Sequence, residues 1–100
     1  MNREKIEKLD CFDAIEALGK CFAKEAEALK YWHTKTDWEC AGIVIEGMRE
    51  RGYSMELVLD EEGYGGTFFK SPIDGLRWSN HTDGPTAILR AALLALEGER

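Results

Sequence analysis

From Gly84 to Leu96 the chain carries one charge, Arg90, and this stretch constrains the fold more than any other. Pro85 suits the first turn of a helix, where its missing N–H would have no intrahelical partner. Gly98 follows Glu97 as a stop. Ile88, Leu89, Ala92, Leu93 and Leu96 recur at helical spacing and form one broad apolar face. Leu94 projects beside Arg90, away from that face. One hundred residues allow one domain with a single modest core to cover such a helix. Ala91 and Ala95 are small and let another helix approach closely. Leu94, together with Ile43 of an upstream helix, is spare apolar surface and predicts a symmetric dimer. The alternative is that the first helix covers both positions within one protomer.

The upstream third reads as helix. Cys11, Ile15, Leu18, Phe22, Ala26 and Leu29 share one face. Ile6 and Leu9 fall off it, and Asp10 can cap a new segment, so a break is expected near Leu9 and Asp10. Gly19 lies inside the helix and costs roughly 1 kcal/mol against alanine. The second helix is punctuated more clearly. Thr36-Asp37-Trp38-Glu39 reads as a capping box, and Asp37 adds negative charge at the positive end of the helix dipole. Trp38, Ala41, Val44, Ile45 and Met48 form its apolar face, and Gly52 stands where a left-handed cap is expected.

Three short strands separate this helix from the last one. Residues 53–59 alternate, with Tyr53, Met55, Leu57 and Leu59 on one side and Ser54, Glu56 and Val58 on the other. The polar turn at 60–63 leads to a second strand over 64–70. A turn at 71–75, with Asp74-Gly75 at its exit, leads to a third over 76–80. The expected fold is therefore α/β of the α+β type, order α-α-β-β-β-α, a three-stranded antiparallel sheet packed with helices. The last four elements share their order with the double-stranded-RNA-binding domain. That domain needs a basic cluster at the start of its last helix, where this chain has Asp83-Gly84-Pro85-Thr86.

The run Tyr31-Trp32-His33-Thr34-Lys35-Thr36-Asp37-Trp38, the helix end Met48-Arg49-Glu50-Arg51-Gly52 and the closing Gly84-Pro85-Thr86-Ala87-Ile88-Leu89-Arg90-Ala91-Ala92-Leu93-Leu94-Ala95-Leu96 resemble the phage α/β/α (ABA) sandwich domain family of small phage and prophage proteins. The resemblance spans 31–97 and leaves 1–30 as an amino-terminal helical segment of a single domain over 1–100. It implies an α/β fold and a phage origin, and it implies no reaction.

Composition excludes some classes of function. The chain is 44% hydrophobic and 32% charged, an ordinary globular balance. No stretch of about twenty apolar residues spans a bilayer. Met1-Asn2-Arg3-Glu4-Lys5-Ile6-Glu7-Lys8 lacks the apolar core of a signal peptide, so a bacterial host cytoplasm is expected. The net charge of −6 argues against nucleic acid as a partner, which would need a basic footprint. It suits a basic protein surface. Cys11, Cys21 and Cys40 match no zinc spacing and read as small apolar fillers on helices.

No catalytic set stands out, and no cofactor or metal is expected. His33 and Asp37 would pair only on one continuous helix, and the Thr36 cap argues against that. Gly63-Tyr64-Gly65-Gly66 lacks the lysine of a phosphate loop and leads into a strand, so it reads as a turn or bulge. Asp60, Glu61 and Glu62 read as a solvated turn.

The remaining signal is aromatic and basic. Trp38, Trp78 and Tyr64 are expected in the core. If Leu76 and Trp78 face inward, Arg77 shares the outward face with Thr67 and Phe69, a seat for a phosphate beside a stacked base. The candidate ligand set is Phe69, Lys70, Arg77, His81 and Thr82, the last two leading to the amino end of the final helix. Two non-enzymatic functions follow as expectations. One is a phage counter-defence protein that sequesters a small nucleotide-like host signal, as a homo-oligomer. The other is an acidic protein–protein inhibitor of a host factor.

Overall fold

The computed structural model describes residues 2–21, 32–71 and 76–98. The expected order holds. α1 (Arg3–Ile6) and α2 (Cys11–Cys21) are followed by a 3-10 turn at Trp32–Thr34, then α3 (Asp37–Glu50). β1 (Ser54–Asp60), β2 (Gly63–Phe69) and β3 (Ser79–His81) form an antiparallel sheet of order β1-β2-β3, and α4 (Gly84–Glu97) closes the chain.

The local signals work as their chemistry dictates. Thr36 Oγ1 accepts from the Glu39 amide at 3.1 Å, and Glu39 Oε1 accepts from the Thr36 amide at 3.3 Å. Gly52 takes φ 90°, the left-handed conformation that ends α3. Asp10 accepts from the Asp13 amide at 2.8 Å and starts α2 after the break at Leu9. Phe22, Ala26 and Leu29, and the turn at 72–75, lie outside the described residues.

α4 is the centre of the molecule. It is buried on every side from Gly84 to Leu94, with the sheet against one flank and α1, α2 and α3 against the others. Small residues make the sheet contact close. A side chain at Gly66 would begin 3.8 Å from both the Ala87 carbonyl oxygen and Ala91 Cβ. Ala14, Ile15 and Leu18 of α2 and Ala41, Val44 and Met48 of α3 complete the core. Burying these apolar groups is the main stabilising term.

Several expectations are corrected here. Leu94 is not spare surface: it is fully buried within one protomer, covered with Ile6, Ile15 and Leu18 in one core, and Ile43 packs half-buried against the same core. The third strand begins only at Ser79, not Leu76. Ser79 pairs with Gly66 and shares its face, so Ser79 turns toward α4 and is buried, while Leu76 is exposed. Thr67, on the face opposite Gly66, is fully buried and not open to solvent. Trp38 is 51% exposed rather than core, and Trp78 is half-buried. Cys40 is a buried filler, but Cys21 is exposed.

Candidate functional site

The expected ligand residues do not converge. Phe69 pairs with Ser54 at one end of β2, and Lys70 Nζ lies 4.9 Å above the Tyr53 ring beside it. His81 pairs with Tyr64 at the other end, about 17 Å away at the rise of an extended strand. Arg77 serves neither end: its guanidinium lies against the carboxyl-terminal turn of α4, with Nη1 3.5 Å from the Leu94 carbonyl oxygen. A cation there complements the negative end of the helix dipole. No phosphate seat joins Arg77 to Phe69, because Arg77 reaches over the helix end and not over the sheet.

His81 and Thr82 do line a cleft. It lies where the β1–β2 turn meets the loop before α4, has a volume of about 370 Å³, and is bordered also by Asp60, Glu62, Tyr64 and Asn80. Its floor is made by Gly63, at φ 136°; a Cβ there would stand 2.6 Å from the His81 carbonyl oxygen. Only glycine fits both that dihedral and that approach. Asp60 holds the turn by accepting from the amides of Glu62 at 2.8 Å and Gly63 at 3.2 Å. His81 Nδ1 accepts from the Asp83 amide at 2.9 Å, which leaves Nε2 to carry the proton of the neutral ring. Tyr64 meets Trp38 edge-on, with ring centroids 5.9 Å apart, and the Trp38 ring packs over Gly84.

The cleft is acidic. Asp60 and Glu62 stand on its rim, and Asp83 lies behind His81. The amino end of α4 is also occupied. The Asp83 carboxylate accepts from the Thr86 amide at 3.1 Å and from the Thr86 hydroxyl at 2.6 Å, so those donors already face an anion.

A second cluster escaped the sequence reading. The Cys11 sulfur and the carboxylates of Asp37 and Asp83 lie within 4.8 Å of one another. Each stands at a helix start, of α2, α3 and α4 respectively. Those starts are legible in sequence, but their convergence is tertiary. Burial, then Asp37, then Asp83 push the Cys11 thiol up to about 12. At neutral pH it stays protonated, the opposite of an activated nucleophile. Cys40 is pushed up too, chiefly by burial and then by Asp37. His33 and Asp37 do not form a helical pair, because Thr36 between them is extended at φ −74°, ψ 161°.

Comparison with protein-family models, curated proteins and solved structures finds no match for this chain.

Proposed function

We propose that this chain is a non-catalytic binding protein whose acidic cleft receives a basic group of a protein partner. The observation that carries this reading is the rim: Asp60 and Glu62 frame a cleft with an aromatic wall at Tyr64 and hydrogen-bonding groups at Asn80, His81 and Thr82. A guanidinium or ammonium gains from carboxylates and from an aromatic ring together. A nucleotide phosphate in the same cleft would meet two carboxylates, and the cations that would hold it lie elsewhere. The net charge of −6 favours encounter with a basic surface. With the phage resemblance as setting, the reading is an acidic inhibitor of a host protein.

An NMR titration tests it, with an arginine-rich peptide as the partner surrogate. Amide shifts are expected at Asp60, Glu62, Gly63, Tyr64, Asn80, His81 and Thr82, and Glu62→Lys is expected to weaken them. The reading fails if the shifts spread evenly over the acidic surface, or if a nucleotide, and not the peptide, moves the cleft residues.

A further inference from the structure

β1 is an edge strand of the described sheet, and its outer half is apolar. Leu57, Val58 and Leu59 are 41%, 47% and 67% exposed. Asp60 and Gly63 pair across a two-residue loop. By alternation, the main-chain groups of Ser54, Glu56, Val58 and Asp60 turn toward β2, and those of Met55, Leu57 and Leu59 turn toward the open edge. An edge of this kind is a template for another strand.

The geometry points to a second copy of this chain as the occupant, its β1 pairing antiparallel with this β1 about Leu57 to make one continuous sheet. Among registers that pair five or more residues of β1, charge selects one. Centred on Glu56, that carboxylate would face its own copy. Centred on Val58, Glu56 would face Asp60. Like charges directly opposed destabilise a strand pair. Centred on Leu57, Glu56 faces Val58, Met55 faces Leu59, Ser54 faces Asp60, and no two carboxylates are opposed. Leu57 then faces itself through main-chain groups that already point outward.

The same register is complementary at its ends. The acidic turn Asp60-Glu61-Glu62 of one copy runs alongside Ser54, Tyr53 and Gly52 of the other. Arg51 ends the preceding helix there, and Lys70 lies over Tyr53. Side chains agree as well. A Cβ on Gly66 would lie 3.8 Å from Leu57 Cδ1 on the face toward α4, so Leu57 overhangs the helix side of the sheet. Alternation places Met55 and Leu59 on that side too. The pairing puts both helix layers on one side and gathers these residues from two copies between them. Tyr64, Asn80, His81 and Thr82 lie on the β2–β3 side, away from the joined edge, so each cleft keeps an opening.

Sedimentation velocity and hydrogen exchange test this together. A dimer is expected at about 100 μM chain, dissociating on dilution. Leu59→Asp is expected to raise its dissociation constant at least about ten-fold. Leu59 is the most exposed of the three, and an unchanged far-ultraviolet circular dichroism spectrum checks that the variant folds. The amides of Met55, Leu57 and Leu59 are expected to gain protection with concentration, while those of Glu56 and Val58 do not change. A monomeric wild type at that concentration overturns the proposal, as expected if a foreign strand uses the edge. So does a dimer indifferent to Leu59→Asp, or protection of Leu57 independent of concentration. Neither readout involves the cleft residues or the peptide, so the two readings fail separately.

Discussion

Arg90 donates from Nε to the main-chain oxygen of Leu9 at 2.6 Å, joining residues 81 positions apart. The single charge in the body of α4 is thereby spent on the corner between α1 and α2. Arg90 is 9% exposed, and its stem is buried while its head donates to that carbonyl. Arg90→Met keeps the stem and removes the donor. It is expected to cost about 2 kcal/mol, the range for a lost hydrogen bond from a charged group. Urea denaturation measures this, and a change below a few tenths of a kcal/mol would remove the bond from the account of why α1 and α2 turn where they do.

Thr67 offers the opposite case. Its hydroxyl is fully buried and, among the described residues, has no hydrogen-bond partner. Leaving such a group dry is unfavourable. Thr67→Val keeps the branched shape that a strand prefers. It is expected to stabilise the protein by about 1 kcal/mol. A lowered melting temperature would mean that Thr67 Oγ1 is satisfied in solution.

What was legible depends on the range of the interaction. The Thr36–Glu39 box, the Asp10 start and the Gly52 stop are decided by neighbours within four residues, and each is found where the sequence puts it. Leu94 was misread because a helix wheel shows which residues share a face, not how many faces are covered. α4 is covered on all of them. Arg77 was misread because one register decides the matter: Gly66 opposite Ser79 turns Ser79 inward and ends pairing there. Arg77 then lies before the strand and is free to reach the end of α4. His81 and Thr82 are adjacent in sequence and line one cleft. Their acidic neighbours Asp60 and Glu62 come from a turn that only the sheet brings near.

Cys11 makes the fold sensitive to alkali. The ordinary thiol value is 9.0, and in the folded protein burial and the two aspartates raise it to about 12. Between those values unfolding releases a proton. Stability from this group is therefore complete below pH 9 and is lost as pH rises through that window. Cys11→Ala is expected to flatten the alkaline limb of a stability–pH curve relative to wild type. In the native protein at pH 8, exposed Cys21 is expected to react with a thiol reagent well before Cys11. Equal rates would show that the Cys11 thiol ionises normally.

Gly63 and Gly65 separate backbone from side-chain constraint in the cleft. Both are in β2, and an added Cβ would meet something at close range in each. At Gly63 the obstacle is backbone: the His81 carbonyl oxygen at 2.6 Å and Thr82 Cα at 2.8 Å, with φ at 136°. At Gly65 it is the tip of a side chain, Asn80 Oδ1 at 2.7 Å, which can rotate away. Gly63→Ala must therefore push the β1–β2 turn off the loop that carries His81, and it is expected to cost at least about 2 kcal/mol through strain at a special backbone position. Gly65→Ala is expected to cost about 1 kcal/mol or less, since β2 also gains a residue better suited to a strand. Denaturation of the two variants gives the order. The His81 ring resonances give the cause, because only Gly63→Ala is expected to disturb the bond from the Asp83 amide to Nδ1. If both variants are equally stable, the turn is free to retreat from His81, and the cleft is not held by this contact.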